Sequence, residues 1–340
     1  MFEGFLGNRA VQEALEQMIA SERITQTLLL AGPEGVGKAT LARRFAARLL
    51  GDPRKIEKDD LSRPENAASI AEREKWPADK RNEDPLLFAS HPDFVTFAPD
   101  GPLRQITIPQ MRLLKERAQF KPLRGAHRVF LIDQIDRANE QAANSLLKTL
   151  EEPPEHLILF LTAANPYDLL PTIRSRAVWL PLAPLGAEEM REFVSARGLE
   201  DAERRIALAR GSPGVAISLD LEAYDRRRAL MLTLLEVAAG ASPFEEWVLC
   251  AESPAGRQEK LEALLRTLYG LLEDVLVLEQ GASGIRNADI RERLAAIARR
   301  VDYSWIRRAV GKVDELADLV RRNIQKNIAL DALIVELRPA

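Results

Sequence analysis

Cysteine and histidine are scarce in this chain of 340 residues, which has one cysteine and three histidines. The single cysteine, Cys250, cannot form a disulfide within the chain, and it cannot supply a zinc site built from several cysteines. Proteins without structural disulfides are typical of reducing compartments. The composition therefore predicts a cytoplasmic protein.

Long apolar runs are also missing. No stretch of 18 apolar residues occurs, so we expect no membrane-spanning helix and no membrane partner. The start, Met1-Phe2-Glu3-Gly4, lacks the basic and apolar segments of a secretory signal. The net charge of −3 excludes a strong overall attraction to nucleic acid and leaves a local basic face open. With 46% hydrophobic and 29% charged residues the chain is typical of a globular protein, and its length predicts two or three domains.

The chain divides into three segments with different patterns. Residues 1–181 alternate apolar strands with helical stretches, the strands being Thr27–Ala31, Phe94–Phe97, Arg128–Asp133, Leu157–Thr162 and Ala177–Leu180. Unbroken apolar strands separated by helices predict an α/β domain with a parallel sheet covered on both faces. Within it, residues 51–90 are rich in charges of both signs and in proline, which predicts a surface insertion with solvated helix at most.

The remaining two segments are predicted to be helical. Residues 182–222 contain two short helices, from Ala187 to Arg197 and from Glu200 to Arg210, and residues 223–340 are helical throughout. In the last predicted helix, apolar residues repeat at steps of three and four and form one stripe: Ile306, Val310, Val313, Ala317, Val320, Ile324 and Ile328.

A glycine-rich segment joins the first strand to a helix from Ala39 to Leu50. It contains Gly32, Pro33, Glu34, Gly35, Val36, Gly37 and Lys38. Glycines let backbone N–H groups close around phosphate oxygens, and the helix N-terminus and the lysine add positive charge. The spacing G-x4-G-K between strand and helix predicts a P-loop that binds ATP or ADP.

Two positions weaken the expected magnesium site. A P-loop normally has Ser or Thr after the lysine to hold Mg²⁺, whereas this chain has Ala39 there and Thr40 one place later, about 100° around the helix. Asp133 ends an apolar strand, where a Walker B carboxylate supports Mg²⁺, although a simple strand-end acid is equally consistent with the pattern. The next residue, Gln134, has an amide that cannot accept a proton from water.

These residues carry a family resemblance. The sequence resembles bacterial DNA polymerase III clamp-loader ATPase subunits of the AAA+ class, and it is most similar to the delta-prime type. Beyond the P-loop, the matching segments are Ser90–Phe94, Ile106–Arg112, Val129–Asp136, Ala143–Pro154 and Leu169–Arg176, with a weaker match from Asn323 to Leu337. The resemblance implies an AAA+ core over 1–181, a helical lid over 182–222 and a helical collar for oligomerisation over 223–340.

The resemblance also implies a role for Ser175 and Arg176. In the family, a Ser-Arg-Cys motif carries an arginine finger that enters the ATP site of a neighbouring subunit. Here the motif is Ser175-Arg176-Ala177, so the serine and the arginine match and the cysteine does not. A guanidinium supplied in trans increases phosphoryl-transfer rates by roughly 10³–10⁵.

Other family positions lack their functional groups. The polar sensor falls near Ala164, with Asn165 one place later, and the lid motif that should end in arginine has Gly214 instead. Together with Ala39 and Gln134, these losses predict weak or absent ATP hydrolysis and a stator role. The family's four-cysteine zinc module is missing from residues 51–90, so we expect no zinc there.

The resemblance further implies a set of partners. They are the gamma/tau and delta subunits of the clamp loader and, through the complex, the sliding clamp and primed DNA of the replicating DNA polymerase. Two alternatives stay open: an active ATPase of the gamma/tau type, in which Thr40 and Asn165 replace the absent groups, and another AAA+ replication factor.

Four basic residues precede the apolar strand that continues at Val129: Lys121, Arg124, His127 and Arg128. They are expected to form a solvated face.

Overall fold

The structure, a computed structural model, describes residues 2–252, 259–320 and 325–338. The chain divides into two compact units, one comprising residues 1–200 and 209–217 and the other residues 201–208 and 218–340. The finer division at residues 181 and 222 stays a prediction.

The first unit is built on a six-stranded sheet. The strands are β1 (Thr27–Ala31), β2 (Leu87–His91), β3 (Phe94–Phe97), β4 (Arg128–Ile132), β5 (Leu157–Ala163) and β6 (Val178–Pro181). Their order is β2-β3-β4-β5-β1-β6, and all neighbours are parallel except the antiparallel pair β2 and β3. The five predicted strands are confirmed to within one residue, whereas the edge strand β2 was not predicted.

Helices connect and cover these strands. In the first part of the chain they are α1 (Arg9–Ala20), α2 (Lys38–Leu50), α3 (Pro53–Ile56), α4 (Pro64–Arg73), α5 (Ala78–Glu83), α6 (Ile108–Ala118), α7 (Glu140–Glu151) and α8 (Pro171–Arg174). After the sheet come α9 (Ala187–Ala196), α10 (Ala202–Ala209) and α11 (Pro213–Ser218). The parallel arrangement needs these crossovers, because the carboxyl end of each strand must return to the amino end of the next.

Both faces of the sheet are buried. Along β4, Phe130 and Ile132 pack in the apolar cluster that includes Leu114 of α6. The alternate residues Val129 and Leu131 pack in a second cluster, with the helices α1 and α2. Strands buried on both sides explain why the sequence shows continuous apolar runs, and they confirm the predicted α/β class with a mostly parallel sheet.

The charged insertion at 51–90 is more closely packed than expected. Arg73 of α4 is buried and forms an ion pair with buried Asp100, its Nη2 lying 2.7 Å from Oδ2. Asp59 is fully buried, and its carboxylate accepts a hydrogen bond from the backbone N–H of Ser90 at 3.0 Å. Most residues of α4 and α5 are exposed, as expected of a surface insertion, and Arg73 and Asp59 are buried exceptions.

The second unit is all-helical where it is described. Its longer helices are α12 (Leu221–Ala238), α13 (Phe244–Ala251), α14 (Leu261–Glu279), α15 (Arg291–Ala298), α16 (Tyr303–Val320) and α17 (Lys326–Leu337). They enclose one large apolar cluster that includes Trp247 and Trp305, as expected of core aromatic residues. Among the described residues, no helix is long and apolar enough to cross a membrane.

The predicted last helix is wrong in its extent, because its residues belong to two helices, α16 and α17. Ile306 and Val313 are buried as the stripe requires, and Val310 packs against the same core. Ala317 and Ile328 are exposed instead, so the predicted stripe does not continue as one buried face through both helices. The side chain of Val320 and all of Ile324 lie outside the described part of the chain.

Candidate functional site

The P-loop lies at the carboxyl edge of the sheet. It leaves β1 at Ala31 and enters α2 at Lys38, with Gly37 as the residue before the helix at φ 104°. Gly35 also has a positive φ of 76°, a region that favours glycine. The predicted position between a strand and a helix N-terminus is thus confirmed by the backbone.

Lys38 is inserted into its own loop. Its side-chain ammonium donates to the carbonyl oxygens of Gly32 at 2.6 Å and Pro33 at 2.8 Å. Burial lowers its pKa below the ordinary value for lysine, and the nearby carboxylates of Asp133 and Asp136 partly oppose this shift. Two of the three ammonium donors are therefore bonded to loop carbonyls, which a phosphate would have to share or displace.

The glycines of the loop are in close contact with other segments. A Cβ at Gly37 would lie 2.8 Å from the Phe5 ring, and one at Gly32 would lie 2.2 Å from the carbonyl oxygen of Leu182. These distances are shorter than van der Waals contact. The loop is consequently enclosed by the amino-terminal segment and by the residue that follows β6.

The lid glycine closes a third side. The backbone N–H of Gly214 donates to the carbonyl oxygen of Gly35 at 2.8 Å. A Cβ at Gly214 would lie 3.0 Å from both the Cα and the carbonyl oxygen of Gly35. The arginine that the family motif has at this position would start from a backbone already in contact with the loop.

Asp133 and Thr40, the side chains considered for magnesium binding, are both hydrogen-bonded to other residues of this chain. Asp133 accepts a hydrogen bond from the hydroxyl of Thr162 at 2.6 Å, and Thr162 in turn accepts one from the backbone N–H of Gln134 at 2.8 Å. Thr40 accepts a hydrogen bond from Arg43 at 3.4 Å, consistent with the rotation expected from its position on the helix. Ala39 has no group to hold a metal ion.

Two residues at this site were missed by sequence reasoning. Thr162 is fully buried on β5, and its hydroxyl breaks an otherwise apolar strand, a signal that could have identified it. Asp136 follows β4 by four residues, and its Oδ2 accepts a hydrogen bond from the backbone N–H of Ala164 at 3.0 Å. Its Oδ1 is buried without a hydrogen-bond partner in the described structure, and burial raises the pKa of this carboxyl group.

The expected sensor residue does not join the site. The side chain of Asn165 accepts from the backbone N–H of Tyr167 and donates to Asp168, so it caps the short turn at 166–168. It is exposed. Neither Ala164 nor Asn165 contributes a side chain to the P-loop. An active ATPase of the gamma/tau type would need Asn165 to replace the absent polar sensor, and Asn165 does not lie where it could do so.

Arg176 lies at the opposite edge of the sheet from the P-loop. β6 runs parallel to β1, with Val178 beside Leu28 and Pro181 beside Ala31. Arg176 precedes the amino end of β6, whereas the P-loop follows the carboxyl end of β1. The four residues of β6 alone span about 10 Å. Arg176 therefore points away from the phosphate loop of its own chain.

The side chain of Arg176 is held at the surface. Its Nη2 donates to Glu151 at 2.7 Å, and its Nη1 donates to the carbonyl oxygen of Thr172 at 3.0 Å. The hydroxyl of Ser175 lies 3.4 Å from the same Nη1 and donates to Thr172. Both Ser175 and Arg176 are exposed, so the predicted motif is accessible from outside the chain.

Exposed aromatic residues adjoin this motif in sequence. Tyr167 and Trp179 meet edge to face with ring centres 6.1 Å apart, and Arg174 lies 5.0 Å from the centre of the Tyr167 ring. Trp179 is 44% exposed, so it is not a core residue of the isolated chain.

The predicted basic face is only partly solvated. Lys121 and Arg124 are exposed, and His127 is partly buried. Arg128 is buried instead: it donates to the carbonyl oxygen of Arg117 at 2.8 Å. It also lies 3.8 Å from the carboxylate of Asp93. The expectation that Arg128 is solvated is wrong, since this side chain anchors the loop before β4.

No cluster of three or more His, Cys, Asp or Glu side chains suited to a metal ion occurs within residues 2–252, 259–320 and 325–338. His91 is buried, and its Nδ1 accepts a hydrogen bond from the backbone N–H of Asp93 at 3.1 Å. The histidine of the Ser90–Phe94 segment thus contributes to the turn between β2 and β3.

Sequence comparisons match this chain to subunits of DNA polymerase III. A family model described as "DNA polymerase III, delta subunit" matches residues 7–186. The delta-prime subunit of DNA polymerase III from Pseudomonas aeruginosa is 31% identical over 244 residues, which cover 69% of each chain. The tau subunit of Escherichia coli is 27% identical over 329 residues, which cover 88% of this chain and 48% of tau.

Among solved structures, a gamma-subunit-related protein of DNA polymerase III from Thermotoga maritima is similar. It is 18% identical, with 95% of this chain and 98% of that chain covered at a TM-score of 0.45. The family model spans more than half of this chain, and the Pseudomonas relative passes 30% identity over two thirds of it. The chain therefore belongs to the delta-prime family of DNA polymerase III clamp-loader subunits.

Proposed function

We propose that this chain is a stator subunit of the clamp loader, which supplies Arg176 in trans to the ATP site of a neighbouring subunit. The observation that carries the proposal is the location of Arg176. It is exposed at the amino edge of the sheet, away from its own P-loop at the carboxyl edge. An arginine in that place can serve a nucleotide only on another chain.

The chemistry of this contribution is electrostatic. Phosphoryl transfer places negative charge on the oxygens of the transferred group, and a guanidinium beside them stabilises that charge. Arg176 keeps further N–H groups beyond those that bond Glu151 and Thr172, since a guanidinium has five donors. These remaining donors are the ones that would meet the phosphate of the neighbour.

The chain's own nucleotide site fits a phosphate better than it fits a catalytic magnesium ion. Gly35, Gly37 and Lys38 would hold the negatively charged phosphate of ATP or ADP. For Mg²⁺ the hydroxyl expected at position 39 is absent, and the Thr40 hydroxyl is bonded to Arg43. Gln134 cannot act as the base. We therefore infer weak or absent hydrolysis by this chain, and no zinc.

The proposed setting is cytoplasmic DNA replication. The partners are the gamma/tau and delta subunits. The helical region of this chain would hold them in a ring. ATP turnover in that ring would drive the loading of the sliding clamp on primed DNA. The presence of delta-prime, gamma and tau subunits among the relatives supports this set of partners.

One alternative deserves its own test, namely an active ATPase of the gamma/tau type. The lysine-containing P-loop and the similarity to tau favour it. It requires Mg²⁺-dependent turnover by the isolated chain that disappears in Lys38→Ala. The stator proposal requires that Lys38→Ala leave the turnover of the complete complex nearly unchanged.

The deciding experiment measures ATP turnover in a clamp loader reconstituted with gamma/tau and delta subunits, sliding clamp and primed DNA. We expect Arg176→Ala to reduce the stimulated turnover by at least about tenfold. Arg191→Ala is the matched control, because Arg191 is also an exposed arginine paired with a glutamate, Glu188. Full activity of Arg176→Ala, or robust turnover by the isolated chain, would refute the stator role.

A further inference from the structure

The guanidinium of Arg176 is fixed at two points on two different helices. Glu151, the last residue of α7, accepts from Nη2 at 2.7 Å, and Thr172 of α8 accepts from Nη1 at 3.0 Å through its carbonyl oxygen. Because the group is planar, two bonds from different nitrogens define its orientation as well as its place. The side chain is thus oriented before any partner is bound.

The ion pair contributes little to the stability of the fold. The Arg176 side chain is 34% exposed and that of Glu151 is 50% exposed. Solvent-exposed pairs of this kind contribute little to the stability of a protein. A variant at position 151 should therefore fold normally, and an effect on turnover would report on Arg176 rather than on unfolding.

Orientation matters more for a finger than for an ordinary surface arginine. A long side chain that is free to rotate must lose its rotamer freedom when it meets the phosphate of the neighbour, and this loss opposes the contact. A side chain already held in one orientation avoids most of that loss, and small errors of placement reduce rates strongly.

We propose that Glu151 is the positioning residue for Arg176: it holds the guanidinium in the orientation that the neighbouring subunit's ATP requires. This inference rests on the proposed function, because it assigns a role to Glu151 only through Arg176. The adjacent Glu152 has the same charge, but it is Glu151 that bonds the guanidinium.

The test uses the complete reconstituted complex with primed DNA and sliding clamp. In Glu151→Ala we expect the kcat for ATP to fall by about tenfold while KM stays unchanged, because orientation acts in the transition state. Glu151→Gln should recover most of the activity, since its amide oxygen still accepts from Nη2. Glu152→Ala is the matched control and should equal the wild type.

A double variant separates positioning from an independent effect. If Glu151 acts through Arg176, Glu151→Ala combined with Arg176→Ala will turn over ATP at the same rate as Arg176→Ala alone. Additive losses would overturn the positioning role. So would wild-type or increased turnover in Glu151→Ala, provided that Arg176→Ala is impaired. If Arg176→Ala itself retains full activity, the proposed function fails together with this inference.

Discussion

The backbone of Gly214 is hydrogen-bonded to the backbone of Gly35, with 2.8 Å between the amide nitrogen and the carbonyl oxygen. The segment that follows α10 therefore lies directly on the phosphate loop. Glycine at position 214 permits this approach, since any side chain would begin 3.0 Å from Gly35. Gly214, which stands where the family motif has an arginine, is thus also the residue that contacts the P-loop.

The first prediction concerns this contact. Gly214→Ala should reduce the free energy of unfolding by about 1–3 kcal/mol, because the added methyl group overlaps Gly35 and must displace it. The measurement is urea denaturation followed by circular dichroism.

Gly311→Ala is the control for that substitution. Gly311 also lies in a helix, α16, and a Cβ there meets no described atom within 4 Å. We expect this variant to be stabilised by about 0.5–1 kcal/mol, because alanine favours a helix over glycine. If Gly214→Ala is stabilised in the same way as Gly311→Ala, contact with the P-loop does not limit the side chain at position 214.

The second prediction concerns the pH dependence of stability. Burial raises the pKa of Asp136, so that between the ordinary value and the raised value the folded chain binds more protons than the unfolded chain. The free energy of unfolding contributed by this group is therefore highest in acid and falls as the pH rises through the raised pKa. Asp136→Asn removes the titration and should be more stable than the wild type at neutral pH.

The measurement compares the urea midpoints of wild type and Asp136→Asn from about pH 4 to pH 8. The difference between the two proteins should grow with pH and then level off above the raised pKa. The Oδ1 of Asp136 gives the physical reason, because it is buried without a donor, which makes ionisation costly even though Oδ2 accepts from Ala164. A difference that is constant over the whole range would contradict the prediction.

Much of the fold follows from the sequence because its determinants are local. Four strands, β1, β3, β4 and β5, are fully buried and appear as continuous apolar runs, and with the short run of β6 their positions could be predicted to within one residue. The P-loop was predictable for the same reason, since its glycines, its lysine and the flanking elements are adjacent in the chain. The edge strand β2 gave no such signal, because its sequence from Leu87 to His91 is not a continuous apolar run and it is only partly buried.

The features that sequence reasoning missed depend on contacts between distant residues. Thr162 reaches Asp133 across 29 positions, and Arg73 reaches Asp100 across 27. Spacing and composition cannot show that a charged segment carries partners elsewhere, so the insertion at 51–90 resembled a solvated one. The pairing of Arg176 with Glu151 across 25 positions was hidden in the same way, although both residues lie in motifs that the sequence did reveal.

The third prediction concerns the anchoring of this insertion. The side chains of Arg73 and Asp100 are 5% and 2% exposed, so their ion pair is almost fully removed from water. Removing one charge of a buried pair costs about 3–5 kcal/mol when the other charge is left uncompensated, and less here because Arg73 also pairs with Asp84 at 3.2 Å. Asp100→Asn should therefore lower the urea midpoint measurably and should make residues 51–90 more susceptible to limited proteolysis.

Glu65→Gln is the matched control, because Glu65 pairs with Arg63 within the same insertion at 2.6 Å but is 57% exposed. An exposed pair contributes little to stability, so we expect little change in either measurement. Equal effects of the two variants would mean that burial does not distinguish the pairs and that the insertion is held by its apolar contacts, such as Ile70 against Ala98. A large effect of Asp100→Asn alone would instead establish that the charges of the insertion, rather than its small apolar cluster, attach it to the sheet.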